Sequence, residues 1–344
     1  MIHRNPKHQR VASAVAFACL ALASCHTVPV ARSGPGFKYY VVGNPEDVVK
    51  PTHGLWVPQG GGDDVDQNFI RMGAAGGGGD FVVLRASGAD EYNDYIFKLC
   101  GCDSVETIVF DKGAATADPF VLEKIRNAEA IWIGGGDQSN YIRYWKDTPV
   151  EDAINFVAAK PAPIGGTSAG MAVLGEYVYS AEGKDSLTSL DALENPYTTE
   201  LTLARGFLAL PRLENVITDQ HLHERDRIGR TVALLSRLQQ DGWAPMPRAI
   251  AADRETALHV DPASGLAEVF ATADHPTPFV YFMAPAGPPI VYERGKPLTT
   301  GAIAVYRIGP GGHFDLAAWS GTGGISYELS VKAGVLQSSR GDAY

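Results

Sequence analysis

PAPIGGTSAGMAVLG, residues 161–175, carries an apolar, strand-like stretch into Gly165, Gly166, Thr167, Ser168, Ala169 and Gly170 and then into a run of helical character. Small residues on both sides of a serine permit the sharp strand-to-helix turn that leaves Oγ exposed, and Gly166, Ser168 and Gly170 complete the GxSxG pattern of such an elbow. The same residues also suit an ordinary tight turn, so the flanking sequence decides.

Upstream, strand and helix patterns alternate. GLWVPQGGG, DFVVLRAS, SVETIVFD and EAIWIGGGD read as strands, and EYNDYIFKL, PFVLEKIRNA, SNYIRYWK and VEDAINFVAAK read as helices. This order predicts an α/β fold, a doubly wound and mainly parallel sheet with ligands bound beyond the carboxyl ends of its strands. Glycine clusters at 60–62, 134–136 and 165–166 fall at those ends. From Arg248 the pattern turns to short strands separated by Gly and Pro. We therefore divide the chain into residues 1–24, an α/β catalytic domain over 25–247, and a β-rich C-terminal portion over 248–344 packed on the same domain.

Residues 1–24 have the composition of a signal peptide: Arg4, Lys7 and Arg10 precede the apolar run VASAVAFACLALAS. That run is too short to span a bilayer. Leu22, Ala23, Ser24 and Cys25 resemble a bacterial lipobox, which implies export and lipidation at Cys25; a secreted protein cut nearby is the alternative. Without residues 1–24, 26 basic side chains face 39 acidic ones, a formal charge of −13, which disfavours nucleic-acid binding. Cys100 and Cys102 are too few for a disulfide framework or a zinc site and read as structural thiols.

An exposed serine needs a base, and histidine has the suitable pKa. His221 and His223 in VITDQHLHERDRIGR stand apart from His26, His53, His259, His275 and His313, which read as surface or structural. No second ligand set accompanies the HxH pair, and Asp64, Asp66 and Asn68 lack the glycine and glutamate of a calcium loop. No metal or cofactor is expected. IGGGDQSNY lacks the P-loop lysine, and its glycines suit the approach of the Gly136 N–H to a reacting carbonyl. The Ala169 N–H, at the start of the expected helix, is its partner in an oxyanion hole.

The order GGGDQ, GGTSAG, DQHLHERDRIGR resembles the cyanophycinase-like serine exopeptidases, relatives of the aspartyl dipeptidases. The resemblance implies a fold akin to class I glutamine amidotransferases, with Ser168 as nucleophile and His221 as general base. It implies substrate contacts from Gln138, Asp219, Gln220, Arg225, Arg227 and Arg230. The triad acid is expected after the nucleophile's helix, at Asp185, with Glu182 and Asp191 as alternatives. The substrate expected is cyanophycin, cleaved to β-Asp-Arg dipeptides through an acyl-enzyme, or a related aspartyl peptide. An aspartyl or isoaspartyl dipeptidase, a GxSxG esterase and a non-catalytic binding lipoprotein are the competing readings. A homodimer is compatible with everything in the sequence.

Overall fold

The computed structural model describes residues 31–344 apart from 277 and 291. The signal-peptide and lipobox expectations, including Cys25, fall outside the described residues.

Five parallel strands form the centre of an eleven-stranded sheet, in the spatial order Ser104–Phe110, Asp80–Arg85, Ala130–Ile133, Ile164–Thr167 and Trp56–Gln59. Phe81 to Leu84 of Asp80–Arg85 are all buried, which is why this strand reads as a continuous apolar run, while Ser104–Phe110 buries all seven residues although three of them are polar. Alternate residues feed opposite faces. Phe81, Val83 and Trp132 pack with Phe69 and Ile96 of the helices Asp66–Ala75 and Asn93–Cys100. Val82, Leu84, Ile131 and Ile133 pack with the helices Pro119–Asn127, Gln138–Trp145 and Pro149–Ala159. The doubly wound α/β architecture is thus present. Two of its helices start where local chemistry directs, with Asp118 and Thr148 accepting backbone N–H groups ahead of Pro119 and Pro149.

The strand Val216–Asp219, read correctly from NVITDQH, belongs to a second sheet of eight strands, parallel to Tyr177–Tyr179 on one side and Arg248–Ala252 on the other. The helix Ile228–Gln240 buries Val232, Leu234 and Leu235 in that sheet's core. Strands beyond Arg248 are shared between the sheets. Thr256–Val260 pairs antiparallel with Trp56–Gln59, while Val280–Pro285, Ile303–Ile308, Ile325–Lys332 and Val335–Ser338 extend the second sheet.

Three local expectations change. The helix after Ser168 is a single turn, Ala169–Ala172. The helix Asp66–Ala75 occupies a stretch weighed only as a calcium loop; its buried Phe69 and Met72 supply the amphipathic signal. Cys100 and Cys102 are joined in a disulfide rather than free, the left-handed Gly101 (φ 62°) closing the turn between them. Among the described residues no helix is long and apolar enough to cross a membrane.

Candidate active site

Ser168 sits at φ 52° and ψ −112°, a conformation rarely adopted by a residue with a side chain. The flanking glycines make it accessible. A Cβ on Gly166 would collide with the Gly170 backbone, and one on Gly170 would overlap the Ile133 carbonyl. The Ser168 N–H donates to the Gln59 carbonyl (3.0 Å), which ties the elbow to the neighbouring strand. Behind it the Gln59 amide donates to Thr167 Oγ1 (3.2 Å) and accepts from Asn68, whose other atom meets His259 Nε2 at 2.7 Å. Burial lowers His259 to about 3, so it is a neutral core residue, as read.

His221 arrives from the second sheet, just past the strand Val216–Asp219, at φ 50°. Its N–H donates to the Gly60 carbonyl at 2.8 Å. Its Nε2 lies 3.0 Å from Ser168 Oγ. Gly61, at φ 97°, leaves room for the ring, since any Cβ there would overlap the imidazole. The glycine cluster at 60–62 therefore accommodates the base.

The acid on the other side of the imidazole is Glu224, whose Oε2 lies 2.7 Å from Nδ1. This corrects the expectation of Asp185. Asp185 lines the cavity beside Ser168, the Glu182 N–H donates to Thr202 Oγ1, and Asp191 accepts from Thr188; the ring nitrogens of His221 are engaged by Ser168 and Glu224. The physical reason is local. With His221 left-handed, the chain turns back and puts position i+3 against Nδ1, so no acid from the earlier segment is needed. An acidic residue three positions after the base was the signal available in HLHER.

Burial lowers the His221 pKa below the ordinary value, Glu224 opposes that shift, and Arg225 adds to it. The imidazole is thus neutral near pH 7 and able to accept a proton. For Glu224, burial acts to raise the carboxyl, but the hydrogen bond and charge of His221 outweigh it and hold it below its usual value.

A cavity of about 300 Å³ opens beside Ser168, walled by Gly136, Gln138, Tyr179, Gln220 and Arg225, with Arg227 and Arg230 at its base. Gly136, at φ 144°, ends a loop whose Gly134 and Gly135 carbonyls both accept from Tyr141 Oη, at 2.8 and 3.1 Å. Ala169 follows the serine directly. Gln138 donates to the Tyr179 carbonyl (3.4 Å). Of the expected substrate contacts, Asp219 plays a different part: fully buried, it accepts from Arg230 Nε and Nη2 and from Thr231 Oγ1. Burial acts to raise its carboxyl, but Arg230 keeps it lowered and ionised. Gln220 binds Arg227 through its backbone carbonyl (2.9 Å) and its side chain. Burial, followed by the neighbouring Arg230, lowers Arg227 to about 10, so this cation sits in an unfavourable field that an anion would relieve. Lys184 on the cavity rim is a further cation that the sequence reading passed over.

The site falls within a recognisable segment. Residues 90–237 match the model of peptidase family S51. A cyanophycinase from Synechococcus elongatus is 30% identical over 146 residues, 42% of this chain and 42% of that protein. One from Trichormus variabilis is 28% identical over 142 residues, 41% of this chain and 44% of its own length. The chain therefore spans less than half the length of these curated relatives. A crystal structure of a peptidase from an acI-B1 Actinobacterium superposes with a TM-score of 0.50 at 17% identity, covering 77% of this chain and 98% of that one, a likeness of fold.

Proposed function

We propose that this chain, which resembles peptidase family S51 over residues 90–237, is a serine exopeptidase of aspartyl peptides, with cyanophycin as the polymeric substrate. The observation that carries the proposal is the Ser168 Oγ to His221 Nε2 contact of 3.0 Å, on a strained elbow, with Glu224 behind the ring and a cationic cavity beside it. Ser168 Oγ attacks the scissile carbonyl while His221 Nε2 takes its proton. Glu224 orients the ring and stabilises the imidazolium that forms. The Gly136 and Ala169 N–H groups hold the oxyanion, the proton returns to the leaving amine, and water then releases the acyl group by the same path. Arg225, Arg227 and Lys184 favour substrates with carboxylates next to the cleaved bond, since guanidinium groups bind carboxylates bidentately.

Export with lipid anchoring at Cys25 is part of the same proposal. Its support is the basic and apolar composition of residues 1–24, and the Cys100–Cys102 disulfide suits an oxidising compartment. Mass spectrometry of the mature N-terminus tests it; an unmodified end elsewhere would refute anchoring.

For activity, purified protein is incubated with cyanophycin, α-aspartyl dipeptides and isoaspartyl dipeptides, and the products are identified by mass spectrometry. Release of β-Asp-Arg, reduced at least about a thousandfold in Ser168→Ala, is the expected outcome. Cleavage of small aspartyl peptides with cyanophycin untouched would favour a dipeptidase instead, the reading that the same cationic cavity also accommodates.

A further inference from the structure

Residues 221–227 carry the base, its acid and two cavity arginines, yet they form an irregular loop in which His221 (φ 50°) and Asp226 (φ 47°) are both left-handed without being glycine. Such residues persist only where surrounding groups hold them. The helix that follows, Ile228–Gln240, also begins without help from its own N-cap, since the Arg227 side chain makes no capping bond. Its first N–H groups need acceptors from elsewhere.

One acceptor comes from residue 344, outside the family-matched segment. The Tyr344 hydroxyl accepts the Ile228 N–H (3.3 Å) and donates to Asp226 Oδ1 (2.6 Å). Its ring stacks on His223 with centroids 4.6 Å apart and planes 24° apart, and meets Tyr281 edge-on at 6.5 Å. The segment leading to it is fastened to the second sheet. Tyr327 Oη donates to the Ala343 carbonyl (2.7 Å), Ser338 Oγ to the Asp342 carbonyl (2.6 Å), and Arg340 to the Tyr344 carbonyl (3.1 Å). One side chain thus touches the loop at its third and sixth positions, His223 and Asp226, and the first residue of the following helix, Ile228, and is itself anchored.

We propose that Tyr344 is a positioning residue for the proposed active site: its hydroxyl holds Asp226 and the helix start so that His221, Glu224 and Arg227 keep their places. The proposal rests on the serine peptidase reading and gives the β-rich portion a part in catalysis, as the support that carries a clamp to the catalytic loop.

The test compares wild type, Tyr344→Phe and Tyr344→Ala by their rates of Ser168 labelling with a fluorophosphonate, alongside thermal unfolding and amide hydrogen exchange. We expect labelling about tenfold slower in Tyr344→Phe and on the order of a hundredfold slower in Tyr344→Ala, the scale of a small misplacement of reacting groups. Amides at 221–228 should exchange faster, with the unfolding midpoint of Tyr344→Phe close to wild type. A folded Tyr344→Phe labelled at the wild-type rate, with unchanged exchange at 221–228, would overturn the proposal. If Tyr344→Ala fails to fold, the phenylalanine variant decides alone. If wild type itself is not labelled at Ser168, the peptidase reading fails, and exchange at 221–228 still decides whether Tyr344 holds the loop.

Discussion

Ser168 and His221 both sit at positive φ, 52° and 50°, yet the molecule supports these two strained residues by opposite means. The elbow in the eleven-stranded sheet is relieved by what is missing: Gly166 and Gly170 have no Cβ to meet the backbone pressed against them. The histidine loop on the second sheet is relieved by what is added. Asp253 accepts the His223 N–H (3.0 Å), Gln220 grips Arg227, Ser189 Oγ donates to the Asp226 carbonyl, and Tyr344 reaches Asp226 from 118 residues away. Support by absence tolerates no new atom. Support by added contacts weakens step by step.

The sharpest way to break this comparison is at the loop's own chemistry. Glu224→Gln should lower kcat by about 10³–10⁴, the cost of losing the acid that orients a triad histidine. Glu224 raises the His221 pKa against burial, so its removal should also move the acid limb of kcat/KM to lower pH, further below the ordinary histidine value of about 6.5. Asp185→Asn should leave kcat within about threefold, in keeping with a residue that touches neither nitrogen of the imidazole. The reverse pattern, measured by steady-state kinetics across pH, would restore Asp185 as the acid.

Next in size is the buried pair beneath the loop. Asp219→Ala leaves Arg230 buried without its carboxylate, and about 3–5 kcal/mol of stability should be lost, read as a fall in the urea midpoint at constant m. A midpoint equal to wild type would mean that water or Gln220 takes over the charge. Gly61→Ala tests support by absence where the two regions meet, because the new methyl and the imidazole cannot share the space. On the order of a hundredfold loss in kcat is expected with circular dichroism unchanged; a fully active variant would show that the ring has room to shift. The smallest effect belongs to Ser189, which accepts the Arg230 N–H (3.1 Å) near the start of the helix. Ser189→Ala should cost about 0.5–2 kcal/mol, as at other helix starts. A midpoint unmoved in urea would remove Ser189 from the loop's support.

The same contrast explains what the sequence made legible. Support by absence is written locally: glycines at 60–62, 134–136, 166 and 170 mark the strand ends and the elbow in the sequence, and only the room that Gly61 leaves for His221 needed the structure. Strands such as DFVVLRAS were legible because burial on both faces leaves a continuous apolar run, Phe81 to Leu84. Support by contact is not local. Nothing in RGDAY indicates that its tyrosine lies against Asp226, and nothing in DQH indicates that Asp219 faces Arg230 and Thr231 rather than a substrate. Glu224 is the intermediate case. It was present in the quoted motif, but only the left-handed turn at His221 brings its carboxylate to Nδ1, and backbone handedness at a histidine leaves no mark in composition.

The central claim, an acyl-enzyme on Ser168 driven by His221, is tested most directly by trapping it. An aspartyl p-nitroanilide is mixed with the protein in the millisecond range, quenched in acid and mapped by mass spectrometry. We predict a burst of p-nitroaniline of one equivalent and a single aspartyl acyl group on the peptide containing Ser168, both absent in Ser168→Ala. Steady turnover with no adduct at Ser168, undiminished in Ser168→Ala, would contradict it.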